Sequence, residues 1–297
     1  MAVLSTPGLY YHKSKGDPSR PSLTSALALL GSSLSVIPMN QNELRKVLSQ
    51  LPLGDLRYFD SIGSTNTEAL DWAARGAKDL SLVITDEQTA GRGRLNRKWF
   101  TPRGTALAFS LILHPTAEEK SHLTRFVGLA GLAIADFLRT RGLVSQVKWP
   151  NDILLDGRKL AGILVESVWS GNEVNCLVIG IGLNVLKDAV PSTELLLFPA
   201  TSLEESLGHA VDRERLLHDI LAGILALRPH IGSDSFITSW EKTLAFRDEQ
   251  VQVQQGDGSL LTGKLLGLEP DGSLRLSDET GNFVTVRFGD VRLRQRA

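Results

Sequence analysis

The 297-residue chain has 32 lysine and arginine residues against 33 aspartate and glutamate residues, a formal net charge of −1. This balance and an ordinary composition, 42% hydrophobic, argue against a wholly basic nucleic-acid-coating protein and against a largely disordered or fibrous chain. The length predicts two domains, and no apolar stretch reaches the roughly 18–20 residues that a membrane helix requires.

The first 38 residues form a segment of distinct composition. They are rich in serine, contain Lys13, Lys15 and Arg20, and fit either a flexible tail or, as the alternative, an organellar transit peptide. Met39 is a candidate natural start, because helical patterning begins just after it. We therefore expect an N-terminal extension over 1–53, flexible up to about residue 38 and then a short helix, in a cytoplasmic protein unless the segment directs it to an organelle.

Residues 54–248 alternate between strand and helix patterns. A capping box at Thr65–Glu68 predicts a helix start, Asp156-Gly157 predicts a tight hairpin, and Pro150 signals an edge, a bulge or a break in pairing. Strands are expected at 56–62, 80–85, 105–113, 146–155, 159–169 and 174–185, and helices at 65–77, 121–141, 212–227 and 236–245. The sequence predicts an α+β domain with a mixed, mainly antiparallel sheet and flanking helices.

The last 50 residues change character. Short strand patterns at 251–254, 260–268, 273–277, 283–287 and 290–293 are separated by Asp-Gly and Thr-Gly pairs. Residues 249–297 are therefore expected to form a small all-β barrel domain.

The window 88–103 is the most informative part of the sequence. It holds five basic residues and no acidic one, a local charge of +5 against −6 for the rest of the chain. Gly91 and Gly93 let backbone N–H groups approach an anion, and arginines suit phosphate and carboxylate. An anion-binding loop, a solvated basic loop and a nucleic-acid patch all fit this pattern.

Three further groups of polar residues are candidates for a site. Asn151 and Asp152 could contact a nucleotide or Mg²⁺, or simply form an Asx turn. Lys159, at the start of the returning hairpin strand, could face a cleft or solvent. The run Ser64-Thr65-Asn66 could cap a helix or bind a polar head group, and Asn184 ends an apolar strand where an unpartnered amide is costly.

The sequence contains none of the cysteine or histidine spacings that are typical of a transition-metal site. Cys176 is the only cysteine, so neither an intrachain disulfide nor a cysteine zinc site can form. The six histidines lack a His-x-His or His-Glu-x-x-His spacing. We expect no dedicated transition-metal site.

Taken together and in this order, these motifs resemble those of the biotin–protein ligases of the BirA family. The matching elements are Ser64-Thr65-Asn66, Gln88 with Gly91-Arg92-Gly93-Arg94 through Trp99, Lys148-Trp149-Pro150-Asn151-Asp152, Lys159 to Leu164, and Gly182-Leu183-Asn184. The resemblance covers roughly residues 55–297. It implies the class II synthetase-like, biotin–lipoate ligase fold with a C-terminal SH3-like barrel.

The resemblance also implies a two-step reaction. Biotin and ATP, with Mg²⁺, give biotinyl-5′-AMP, and the biotinyl group then passes to a lysine of a biotin carboxyl carrier protein, such as that of acetyl-CoA carboxylase. The implied catalytic residues are Lys159 and Arg94. The implied biotin-binding residues are Ser64, Thr65, Asn66, Gln88, Arg92, Gly93, Arg94, Lys159 and Gly162. The implied ATP-binding residues are Arg94, Arg97, Trp99, Asn151, Asp152, Lys159 and Asn184, with Mg²⁺ near Asp152.

About 54 residues precede the predicted catalytic part, and they show no clear winged helix-turn-helix pattern. We therefore expect the monofunctional type, with no DNA or membrane partner, as a monomer or homodimer. A lipoate–protein ligase of the same fold is the alternative enzyme, although its Arg-Arg-x-x-Gly-Gly-Gly signature is absent. A nucleic-acid-binding protein using the loop 88–103 is the alternative from another class, but the acidic residues of the barrel disfavour it.

Overall fold

Two sheets organise the part of the chain that the computed structural model describes, residues 38–293 without 193, 195, 197, 256 and 257. The expectations for residues 1–37 lie outside this part. The large sheet contains β1 (Leu56–Phe59), β2 (Ser81–Thr85), β3 (Ala106–Leu113), β4 (Ser145–Lys148), β5 (Asp152–Leu155), β6 (Arg158–Ser170) and β7 (Glu173–Asn184). Its strand order is β1-β2-β3-β7-β6-β5-β4, and only the β1–β2 pair is parallel.

Helices cover both faces of this sheet. They are α1 (Gln41–Val47), α2 (Thr65–Ala74), α3 (Phe126–Thr140), α4 (Leu203–Leu207), α5 (Arg213–Leu227) and α6 (Asp234–Lys242). Apolar residues of α2 such as Ala69 and Trp72 pack with Val83 and Val178, whereas α3 and α5 contribute to the larger core on the other side. None of the helices in the described part of the chain combines the length and apolar character that crossing a bilayer requires.

The second sheet comprises β8 (Gln250–Gln254), β9 (Leu260–Leu268), β10 (Leu274–Ser277), β11 (Phe283–Val286) and β12 (Asp290–Leu293). All its pairings are antiparallel, in the order β11-β10-β9-β8-β12. The α+β class is therefore confirmed. The five antiparallel strands of the second sheet are compatible with the predicted SH3-like barrel.

The hairpin prediction at Asp156-Gly157 is confirmed. Both residues have positive φ, 50° and 70°, in the turn between β5 and β6. The predicted strand at 146–155 is wrong as a single element, because Pro150 lies in a turn that folds it into the antiparallel pair β4 and β5. Proline lacks the N–H that a continuing strand would donate.

One predicted helix start is wrong, and one predicted capping box does not form. The helix expected from residue 121 begins at Phe126, after a 3₁₀ segment, Glu119–Arg125, that is kinked at His122. Helix α2 begins at Thr65 as predicted, but Ser64 is its N-cap and the Ser64 side chain makes no capping bond. Glu68 instead pairs with Arg57, 2.6 Å away, and so does not reach back to the helix start.

Candidate active site

The basic loop between β2 and β3 is a folded ribbon. Trp99 N donates to Gly91 O at 2.9 Å, and Gly93 N donates to Arg97 O at 2.7 Å. A Cβ at Gly91 would overlap the Trp99 carbonyl, so the close approach of the two sides of the ribbon requires glycine at position 91. The turn passes through Leu95 and Asn96, both with positive φ. This fold presents Arg94 near the tip.

Trp99 packs onto a floor made by two glycines of the sheet. A Cβ at Gly162 would lie 3.2 Å from the indole, and a Cβ at Gly182 would overlap it. The buried indole N–H of Trp99 has no acceptor within the described part of the chain. The indole therefore fits against the sheet because β6 and β7 each have a glycine at this position.

A β-bulge sets the direction of Lys159. Asp152 faces Gly162 and Leu154 faces Lys159, so Leu160 is one extra residue in β6. Because strand side chains alternate, this extra residue puts Lys159 on the same sheet face as Asp152 and Gly162. The Lys159 ammonium lies 2.7 Å from Asp152 Oδ1 and 5.3 Å from the centre of the Trp99 ring.

Charged side chains of alternating sign form a chain across the site: Arg97, Asp290, Lys148, Asp152 and Lys159. The successive N–O distances are 2.7, 2.6, 3.6 and 2.7 Å. The inner three are buried, whereas Arg97 and Lys159 are partly exposed. Burial alone would raise the pKa of Asp290, but the charges and hydrogen bonds of Lys148 and Arg97 lower it to about 2.

Arg94 reaches from the loop to the second sheet. Its guanidinium donates to Gly289 O at 3.2 Å and lies 3.4 Å from Asn151 Oδ1. Burial lowers the pKa of Arg94, and the negative charges of Asp290 and Asp152 oppose this shift. Asn151 is held in turn, since its Nδ2 donates to Ile163 O at 2.8 Å.

A second polar network lies at the start of α2. Thr65 donates to Gln88 Oε1 from both its backbone N and its hydroxyl, at 2.9 and 3.2 Å. The buried Ser110 hydroxyl of β3 lies 2.9 Å from the Thr65 hydroxyl and 2.6 Å from Asn66 Oδ1. Ser64 is also buried here. These groups form a fixed set of donors and acceptors at one end of the site.

Glu166 of β6 joins this network to the basic loop. Its two carboxylate oxygens accept from both terminal nitrogens of Arg92, at 3.1 and 2.6 Å. Asn66 Nδ2 donates to one of the same oxygens at 2.8 Å. The Arg92 guanidinium is thus paired with a carboxylate of the protein itself.

Asn184 has a structural partner. Its Nδ2 donates to Thr201 O at 3.0 Å, and Thr201 N donates to Lys159 O at 3.0 Å. Asn184 therefore holds Thr201, which in turn bonds to the backbone of Lys159. The buried amide thus has the partner that the cost of burial leads one to expect.

The structure brings most of the sequence-predicted residues around one cleft. A cavity of about 100 Å³ lies under the loop and opens beside a groove of about 720 Å³. The predicted residues that line the smaller cavity are Gly93, Arg94, Arg97, Trp99, Asn151, Asp152, Lys159 and Gly162. Arg92, Gly93 and Arg94 line the groove, whereas Ser64, Thr65, Asn66 and Gln88 lie in the network at the start of α2.

Sequence reasoning missed four residues of this region: Ser110, Lys148, Glu166 and Asp290. Lys148 stands in the motif that also contains Asn151 and Asp152, so its position was a usable signal. The other three come from distant parts of the chain. Within the described ranges, no group of three or more histidine, cysteine, aspartate or glutamate residues could hold a metal ion.

Comparison with known proteins gives consistent matches. A model described as the biotin/lipoate A/B protein ligase family matches residues 58–184. The bifunctional ligase/repressor BirA of Bacillus spizizenii is 32% identical over 262 residues, which cover 86% of this chain and 79% of that protein. The biotin–[acetyl-CoA-carboxylase] ligase of Mycobacterium tuberculosis is 32% identical over 268 residues, covering 86% and 95%.

Solved structures agree with these relatives. The biotin protein ligase from Aquifex aeolicus in complex with biotin and ATP superimposes with a TM-score of 0.69 at 28% sequence identity. The match covers 82% of this chain and 99% of that one.

Proposed function

Because the chain belongs to the biotin/lipoate A/B protein ligase family, we propose that it is an ATP-dependent biotin–protein ligase. The observation that carries this proposal is the placement of Lys159, Arg94 and Arg97 around one cleft, next to the hydrogen-bonding network of Thr65, Asn66 and Gln88. Such a site can hold a polar ring at one end and join two anions at the other.

In the first step, a carboxylate oxygen of biotin attacks the α-phosphorus of ATP. A new O–P bond forms, the bond to the bridging oxygen breaks, and pyrophosphate leaves with its electron pair. Both reactants are negative, so fixed cations lower the barrier where charge accumulates. Lys159 is our candidate for the cation between the carboxylate and the α-phosphate, and Arg94 and Arg97 for the nucleotide side.

In the second step, a lysine amine of the acceptor attacks the carbonyl of the mixed anhydride. An amide forms, the carbonyl–oxygen bond to AMP breaks, and the amine loses a proton. The acceptor that we propose is a biotin carboxyl carrier protein, since two relatives are named as biotin ligases of acetyl-CoA carboxylase. The reactive anhydride must be shielded from water until then, and we assign this covering role to the basic loop.

The donor set at Asp152 fits a nucleotide-bound Mg²⁺. Mg²⁺ binds one or two carboxylates together with phosphate oxygens and water. Asp152 carries the carboxylate beside the cleft, with Asn151 next to it, and when bound the ion would neutralise phosphate charge. Because Lys159 and Lys148 already contact Asp152, any carboxylate ligation requires those contacts to lengthen.

Partners and location complete the proposal. We expect a cytoplasmic enzyme that acts on a carrier protein, without DNA or a membrane as a partner, in a monomeric or homodimeric state. The domain organisation that we propose is an extension over 1–53, a catalytic domain over 54–248 and the barrel domain over 249–297.

The test is a reaction containing the full chain, labelled biotin, MgATP and a biotin carrier domain. We expect label on the carrier, dependent on ATP and on the acceptor lysine. A parallel reaction with labelled lipoate should leave the carrier unlabelled. Absence of carrier labelling with biotin, in a preparation shown to be folded, would refute the proposal.

A further inference from the structure

Glu166 lies outside the residues assigned above to biotin or ATP, yet it joins two of them. Its carboxylate makes the two-pronged ion pair with Arg92 and also accepts from Asn66. A two-pronged arginine–carboxylate pair fixes orientation as well as distance. Glu166 therefore determines where the Arg92 side of the basic loop lies above the sheet.

The Glu166 end of this contact is rigid. Asn66 is buried and is held by the fully buried Ser110, whose hydroxyl lies 2.6 Å from Asn66 Oδ1. Gly180 has no room for a Cβ beside the Asn66 amide, so the amide is packed against the backbone of β7. An acceptor supported in this way can act as a fixed anchor.

The Arg92 end belongs to the ribbon that covers the cleft. Backbone bonds from Thr89 N to Ile62 O and from Ala90 N to Gly63 O fasten the base of the ribbon. Beyond this base, the ribbon is fastened to the second sheet by Arg94 and Arg97, and to the large sheet by Arg92. The Arg92 and Glu166 side chains are 41% and 26% exposed, so this pair can open without burying an unpaired charge.

We propose that Glu166 is a positioning residue that holds the basic loop closed over the cleft by fixing Arg92. The consequence is that opening of this ion pair controls escape of the activated biotin. This consequence rests on the proposed function. The position of the loop in the free protein does not depend on that function, so the two can be tested separately.

Limited trypsin digestion tests the position of the loop without any substrate. Glu166→Gln retains an acceptor for Asn66 but loses the charge that Arg92 needs. We expect cleavage after Arg94, Arg97 or Lys98, identified by peptide mass, to become about 3–10 times faster. The matched control is Glu68→Gln, which breaks an ion pair of similar exposure and the same 2.6 Å length at Arg57 and should change this rate less than about twofold.

A double-mutant cycle tests whether Glu166 acts through Arg92. Arg92→Gln and Glu166→Gln should each shorten retention of biotinyl-AMP about 3–10-fold, and the double variant should be no worse than either alone. Unchanged cleavage in Glu166→Gln, or multiplicative losses of retention, would overturn the proposal. If the unmodified protein forms no adenylate, the proposed function fails, while the digestion still decides the role of Glu166.

Discussion

Lys148 and Asp290 form a buried ion pair between the two sheets, with 2.6 Å between the ammonium and Oδ1. Asp290 also accepts from Arg97 of the basic loop. Asp290→Asn would leave the buried ammonium with the longer contact to Asp152 and a contact to the Phe198 ring, so we expect the free energy of unfolding to fall by about 3 kcal/mol at neutral pH. Denaturant unfolding measures this change, and Asp136→Asn, in an exposed pair with Arg139, is the control.

The same carboxylate predicts a pH dependence. The pKa of Asp290 is lowered from 3.8 to about 2, so the stabilisation from this ionised carboxylate is complete above about pH 4 and is lost as the pH falls towards 2. The difference in stability between the unmodified protein and Asp290→Asn should therefore shrink across this window. A difference that is constant between pH 5 and pH 2 would contradict the assignment.

Lys159→Ala should slow adenylate formation by about 10²–10³-fold, because the variant loses the cation that we propose to lie between the reacting anions. Release of pyrophosphate before addition of a carrier measures this step. Lys120→Ala, which removes a surface partner of Glu173, should leave the rate near that of the unmodified protein. Near-normal pyrophosphate release by Lys159→Ala would remove Lys159 from the mechanism.

Arg94→Gly should let biotinyl-AMP escape. Arg94 ties the tip of the loop to Gly289, so its loss frees the loop on the side of the second sheet. We expect retention of labelled adenylate on a filter to fall about tenfold. Arg103→Gly, at the end of the same basic window, loses only an exposed contact to Glu87 and should retain the adenylate.

Gly182→Ala should impair the site while the protein stays folded. The added methyl group would overlap the Trp99 indole, which must then leave its floor. We expect the KM for biotin or ATP to rise at least tenfold. Gly131→Ala is the matched control, since its Cβ would meet neighbours only at ordinary distances of 3.6 Å or more.

Truncation should be tolerated up to residue 37 and costly a few residues later. Met39 is buried and its N–H donates to Asp86 Oδ2 at 3.0 Å, and the Asn40 side chain caps α1. Removal of residues 1–37 should leave activity intact. Removal of residues 1–40 should lower the thermal midpoint by several degrees, because it removes both contacts.

The features that can be predicted from the sequence are those determined by residues close together in the chain. Asp156-Gly157 carries the conformational signal of its own turn, and the local charge of 88–103 marks the loop that covers the cleft. The apolar stripe continues through the kink at His122, so the pattern predicts a start for α3 that is several residues too early. Periodicity alone does not reveal such a kink.

The acidic partners of the loop could not be predicted from local patterns. Glu166 is 74 residues from Arg92, and Asp290 is 142 residues from Lys148. In the sequence, Asp290 is one of several acidic residues in the predicted barrel, with no local pattern to single it out. Its role as a counter-ion in the cleft follows from the way the second sheet meets the first, which no local pattern encodes.

The bulge at Leu160 makes the direction of Lys159 depend on one residue of β6 staying out of the strand pairing. Other apolar side chains at this position can fill the same core space, so substitutions such as Leu160→Met should be mild. If β6 instead paired without the bulge, Leu160 would lie opposite Leu154, and Lys159 would turn towards the opposite face of the sheet. The position therefore acts as a spacer, and we expect lineages of this enzyme to vary its side chain far more freely than the bulge itself.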